Sequence, residues 1–342
     1  MKKNFLYVVD LSKSENLKYH LDWYENFKRK FDVLDLSKLN LKNLVIFFRK
    51  YELIVFGYSI NYTIDQRKAK FLKRLLNTRK TTVAFFIQNE FRDLKKKIEL
   101  FEFLNGDILL TQLDLKIAQS IYPKKIQKIL SIPHGLNTLE ICSRINHKRR
   151  KYDFAICKNS DYPLYCGNIS RNIVIPRFLK KIKKINSLQS QINTFSVPHK
   201  KWYQLLLNSR TTVACESGSA FLQLNDEMRK KINKLSFVNQ ELILKKYLNR
   251  SKNSFNGLSI PARVFEAAAS GTTLILVEGR YLNLFNNGKH FIELKKDLSN
   301  LNTVIQMMED EKYTEILAKK FLKFCQKHHT LELRIKKIID AI

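Results

Sequence analysis

The sequence predicts an α/β protein of two Rossmann-like domains facing each other across a cleft. Three observations carry that expectation. The chain has 342 residues, 44% of them apolar, enough to form two ordinary cores. Short β-branched and aromatic runs alternate with longer amphipathic segments through the first half, as parallel strands covered by helices do. The alternation stops at a basic polar stretch and then begins again.

In the first series, strands are expected at Phe5–Leu11, Phe31–Leu36, Leu53–Tyr58, Thr82–Gln88, Asp107–Thr111 and Lys128–Ile132. Asp65–Asn77 and Glu90–Leu104 read as helices between them. The opening residues start like a secretory leader, but the apolar stretch meets Asp10 at once and no small-residue cleavage site follows. A first strand of a cytoplasmic protein is the expectation. "IPHGLN", Ile132 to Asn137, closes the series with Pro and Gly, and the basic run "INHKRRKYD" follows. The boundary is therefore expected at residues 147/148, giving a first domain 1–147 and a second 148–330.

The second series begins with a strand at Tyr152–Cys157, a helix at Arg171–Ile185 and a short strand at Thr194–Val197. A helix at Lys200–Asn208, a strand at Thr211–Cys215 and a polar helical insert over Leu222–Leu248 come next. Then come a helix at Ile260–Ser270, strands at Thr273–Val277 and Phe291–Leu294, and helices near Asn302–Met308 and Lys312–Lys327. A last helix, residues 331–342, is expected to pack back on the first domain. In open parallel sheets ligands sit at the carboxyl ends of strands, so those ends are where a site is sought.

Composition narrows the function. The five cysteines are scattered with no CxxC pair, which supports neither a disulfide framework nor a zinc site. No apolar run approaches membrane-spanning length. The formal charge is +31, which can mean nucleic acid or an anionic surface. The basic runs are spread along the chain, however, and are read as mostly solvated. There is no GxxxxGK[ST], no GxGxxG and no serine-hydrolase signature.

The most informative stretch is "IPARVFEAAASGTTLILVEG", Ile260 to Gly279. Ser259 and Pro261 suit a helix start, and Gly271 suits its end. On a helical period Arg263, Glu266, Ala267 and Ser270 share one face, and Phe265 with Ala262 and Ala269 shares another. A guanidinium and a carboxylate among small residues, near a helix N-terminus, suit a nucleotide: diphosphate to Arg263, ribose hydroxyls to Glu266. Taken alone, the residues fit an i,i+3 surface pair better than a ligand site.

"ARVFEAAASGTTLILVEG" resembles the "R-x-F-E-A-x-A-x-G-x-x-L-I" signature of GT-B-fold glycosyltransferases, nearest to the spore-maturation (CgeB-like) group. "GKHFIELKKDLSN" continues the likeness, with looser matches at "QNEF", "IPHGLN" and "ACESGSAF". The resemblance is specific over Leu258–Lys320 and mostly topological before residue 128. It implies a metal-independent glycosyltransferase needing no cofactor beyond its nucleotide-sugar donor. Glu266 would hold the donor ribose, and Arg263, Ser270 and Gly271 would lie near the diphosphate. The related E-x7-E pattern would put a first glutamate at position 258, where this chain has Leu258.

Further candidates are weighed on their own residues. Gly218 and Ser219, in "ESGS" after a strand, can offer amides to a phosphate or simply form a turn. Glu216 in the same loop can stand in for the missing glutamate. Arg171 can reach a diphosphate or form an ordinary ion pair. His134 and Glu90, at strand ends, can serve as a base or acceptor contact, or as a boundary turn and a helix cap. No metal site is expected. The partners expected are a nucleotide-sugar donor, a glycan or lipid-linked acceptor and peripheral contact with an anionic membrane, with no nucleic acid. The alternatives are a basic nucleic-acid-binding protein and a nucleotide-sugar epimerase of the same fold.

Overall fold

The computed structural model describes residues 4–12, 18–38, 46, 49–77, 80–157, 162–195, 197–232 and 255–342. The chain divides into two compact units, one of Met1–Pro133 with Gln223–Glu227 and Glu332–Ile342, the other of His134–Leu222 with Met228–Leu331.

The first unit holds a six-stranded sheet, ordered β2-β1-β3-β4-β5-β6. Its strands are β1 (Phe5–Val9), β2 (Asp32–Asp35), β3 (Leu53–Phe56), β4 (Thr82–Phe86), β5 (Ile108–Thr111) and β6 (Lys128–Ser131). All neighbours pair in parallel. Leu53 to Phe56 and Ile108 to Thr111 are buried throughout, as strands covered on both faces must be. Helix α1 (Lys18–Lys28) supplies Trp23 and Phe27 to this core; Phe27 stacks on Tyr7 with ring centres 4.1 Å apart. Helix α2 (Gln66–Asn77) lies between β3 and β4 in sequence, α3 (Leu94–Phe103) follows β4, and α4 (Leu115–Ile121) follows β5. The expected helix over Glu90–Leu104 starts only at Leu94, because Asn89 and Asp93 take left-handed backbone, φ 50° and 53°. Within this unit Lys337 Nζ donates to the Ser131 carbonyl at 3.2 Å, and Arg29 pairs with Glu332 at 3.3 Å.

The second unit holds a five-stranded parallel sheet, ordered β13-β12-β9-β7-β8. Its strands are β7 (Tyr152–Cys157), β8 (Ser190–Asn193), β9 (Ser209–Ala214), β12 (Thr273–Val277) and β13 (Ile292–Leu294). β12 is buried at every residue. The strand expected at Thr194–Val197 lies earlier, at β8, because pairing with β7 in the register Phe154 to Ser190 fixes its position. A separate antiparallel pair, β10 (Ser217–Leu222) with β11 (Phe255–Ser259), was not expected at all. Helices α5 (Ile175–Ile182), α6 (His199–Leu207), α8 (Ala262–Ser270), α9 (Leu301–Glu309) and α10 (Glu311–His328) cover the sheet. Of the insert expected over Leu222–Leu248, a helix α7 (Glu227–Ile232) is present, and residues 233–248 lie outside the described ones.

The basic linker is mostly solvated, with Lys148, Arg149 and Lys151 exposed, but two of its members are not. His147 and Arg150 are buried. Arg150 donates to the carbonyls of Leu206, Ser209 and Ser270 and to Thr272 Oγ1, at 2.6–3.0 Å. A buried guanidinium is tolerated when its N–H groups find acceptors in this way. Lys97 is likewise an exception in its run: it is 3% exposed, its Nζ donating to the carbonyls of Gln88 and Asn89 at 2.6 and 2.9 Å, while Lys95 and Lys96 are exposed.

Candidate functional site

Helix α8 starts after Pro261 and ends at Gly271, whose φ of 67° is left-handed. Ser259 is not its cap, because the strand ladder holds it opposite Ser217. Arg263 and Glu266 lie one turn apart and are half-buried. Both meet Trp202 of α6. The indole N–H donates to Glu266 Oε2 at 2.8 Å, and the Arg263 Cζ stands 5.5 Å from the ring centre, within cation–π range. Arg263 Nη1 also points at the Cys157 carbonyl, 3.4 Å away at the end of β7.

A second guanidinium belongs to the segment that follows β7 in sequence. Arg171 lies on a π-type turn, Ser170–Val174, that runs into α5. Its Cζ sits 4.3 Å over the Tyr162 ring. Tyr162 Oη accepts the Gly218 N–H at 2.8 Å and donates to the Gly218 carbonyl at 3.1 Å. The Gly218 amide therefore braces the tyrosine under the arginine. A side chain at Gly218 would place Cβ 2.4 Å from the Gly257 carbonyl, at a φ of 94°, so only glycine fits the platform. Asn168 ties the same elements, donating to the Glu216 carbonyl at 2.8 Å and accepting the Arg171 N–H at 3.1 Å.

The two arginines act on each other. Burial lowers the pKa of Arg263, and the nearby Arg171 charge lowers it further. Both also act on the Cys215 thiol at the end of β9, which burial holds up at about 11. Two like charges gathered in a half-desolvated place are unfavourable until an anion joins them. With Glu266 beside them, the pattern is two donors for a phosphate and one acceptor for a hydroxyl, at the carboxyl ends of β7 and β9.

The other candidates have different surroundings. Glu216 is buried; its Oε1 accepts the Tyr281 N–H at 2.8 Å, and burial raises its pKa. It pins the loop after β12, where Tyr281, Leu282 and Asn283 all have positive φ. Ser219 Oγ donates to the Cys166 carbonyl at 3.1 Å. Ser270 and Gly271 sit at the far end of α8 from Pro261: Ser270 is wholly buried with its Oγ donating to Ala267, and the Gly271 carbonyl accepts from His147 Nε2 at 2.9 Å. His134 is buried beside Gly135 in a bridge region where the Leu136 N–H donates to the His329 carbonyl at 2.7 Å. Glu90, in the first unit, accepts from Thr111 Oγ1 at 2.6 Å, and burial raises its pKa while Lys97, pushed down to about 8 by burial, partly offsets this.

Sequence reading named Arg263, Glu266 and Arg171 but passed over Trp202, Tyr162 and Asn168. The available signal was composition: the chain has only two tryptophans, and one lies in a lysine-rich helix.

Residues 194–340 match the family described as Glycosyl transferase-like. The fold is that of the GT-B structures it resembles. Solved structures similar to it include an alpha-glucosyltransferase in complex with UDP-glucose and DNA containing an abasic site, at 10% identity, 98% of each chain and TM-score 0.56. Anabaena HepE in complex with UDP-glucose is similar at 9% identity, covering 99% of this chain and 100% of that one, TM-score 0.51. A UDP-forming trehalose-phosphate synthase from Burkholderia xenovorans is similar at 10% identity, 99% and 98% coverage, TM-score 0.50. A search among the curated proteins gives no match. The matched segment includes Trp202, Arg263 and Glu266, whereas Arg171 lies before it.

Proposed function

We propose that the second unit binds a nucleotide sugar, its diphosphate between Arg171 and Arg263 and a ribose hydroxyl on Glu266, while the first unit receives the acceptor. The observation that carries this reading is the meeting of Glu266 and Arg263 on the Trp202 indole, with Arg263 Nη1 at the Cys157 carbonyl that ends β7. As the bond from sugar to diphosphate breaks, negative charge grows on the departing phosphate oxygen. The arginines, with the free N–H groups at the start of α8, stabilise that charge where the cation of a metal would otherwise be needed. The sugar carbon takes oxocarbenium character, and the acceptor oxygen attacks it.

UDP is the nucleotide to try first, since similar folds are solved with UDP-glucose. The motif over Leu258–Lys320 supports a place near the CgeB-like group. The acceptor in this reading is a glycan or a lipid-linked molecule. Among the described residues no helix is long and apolar enough to cross a membrane. Helix α2 supports peripheral contact instead: Arg67, Lys70, Phe71 and Arg74 are exposed at helical spacing on one stripe, and the helix has no acidic residue.

The test is a thermal-shift series with UDP, GDP and ADP on the native protein and Glu266→Ala. The reading predicts stabilisation by one diphosphate that is lost in the variant. Equal shifts in both would remove Glu266 from the site. Consumption of a sugar donor without any acceptor would point to epimerisation.

A further inference from the structure

The geometry points to Trp202 as the positioning residue of the donor site, its indole N–H orienting Glu266 toward the ribose while its ring face seats Arg263; this rests on the donor reading above. Trp202 is 7% exposed and packs with Cys157 and Leu206, so the ring has little room to turn. From that fixed place it makes two different contacts with α8. The N–H to Oε2 bond, 2.8 Å long, occupies one carboxylate oxygen and fixes the plane of the group. Oε1 keeps its lone pairs for a hydroxyl donor. The ring face, 5.5 Å from Arg263 Cζ, steers the guanidinium by its quadrupole.

One side chain therefore serves both halves of the nucleotide, and the two services are chemically separable. The indole N–H governs the carboxylate and hence the ribose. The ring face governs the guanidinium and hence the diphosphate. A tryptophan present only to fill the core would weaken every ligand alike when altered.

The experiment measures affinity for UDP, 2′,3′-dideoxy-UDP and UMP by calorimetry. The proteins are the native chain, Trp202→Phe, Trp202→Leu and a chain with benzothienylalanine at position 202. The last keeps the bicyclic shape and lacks the N–H, so it serves where the phenylalanine variant fails to fold. The native protein is expected to prefer UDP over its dideoxy form by about tenfold, as a hydrogen bond to a charged group allows. In Trp202→Phe and the benzothienyl protein that preference should fall to about twofold, with the preference for UDP over UMP kept. Trp202→Leu should lose both preferences. An unchanged ribose preference in a folded variant lacking the N–H overturns the role of Trp202 alone. No diphosphate binding by the native protein overturns the donor reading and this one together.

Discussion

Glu266 and Arg263 sit on a helix that is otherwise alanine, valine and phenylalanine, and their polar ends are met by one indole. Replacing Glu266 by alanine should lower nucleoside diphosphate affinity by about tenfold or more, because a hydroxyl loses a charged acceptor. Arg263→Lys should weaken UDP binding nearly as much as alanine does, since lysine keeps the charge but not the fork or the stack. Calorimetric titration checks both. The i,i+3 spacing of the pair, and the arginine in the loop after β7, were legible in the sequence. Trp202 and Tyr162 were not. Trp202 lies 64 residues from Glu266, and Tyr162 lies 56 from Gly218; those contacts depend on β7 lying beside β9, which no local pattern encodes.

Elements whose every residue is buried were the most readable: β3, β5 and β12 stand close to where their β-branched and aromatic runs put them. The β10–β11 pair escaped notice because its glycines and serines look like loop, and Gly218 pairs with Leu258 only through the fold. That pairing also explains why Ser259 is strand rather than cap. At the end of α8, Gly271→Ala should cost about 2 kcal/mol or more by urea unfolding. The left-handed φ alone carries a penalty, and a Cβ would meet Ile145 Cγ1 at 2.4 Å. His147, on the Gly271 carbonyl, gives the unit a pH dependence. Burial pushes its pKa from 6.5 to about 4, so between those values the unfolded chain takes a proton that the folded one refuses. Stability present above pH 6.5 is lost as pH falls toward 4, on the order of 3 kcal/mol. His147→Gln should show a flatter stability profile between about pH 7 and pH 5, even if it starts lower.

At the scale of the whole chain, the charge of +31 resolves into different jobs. Arg150 and Lys97 hold backbone carbonyls inside their units. Arg171 and Arg263 form the anion focus. The stripe of α2 remains for a surface, and Arg67→Glu with Lys70→Glu and Arg74→Glu should abolish sedimentation with phosphatidylglycerol vesicles while leaving UDP affinity within about twofold. Sedimentation unaffected by the three changes would take α2 out of any membrane contact. The division into parallel α/β units was legible from alternation alone, whereas the burial of Lys97 and Arg150 within their basic runs was not, because charge carries no sign of which nitrogen finds a carbonyl. The account stands most directly on a crystal structure of the protein with UDP. It predicts phosphate oxygens within about 3 Å of both Arg171 and Arg263 and a ribose hydroxyl at the same distance from Glu266. A nucleotide bound elsewhere, with these three side chains unoccupied, would contradict it.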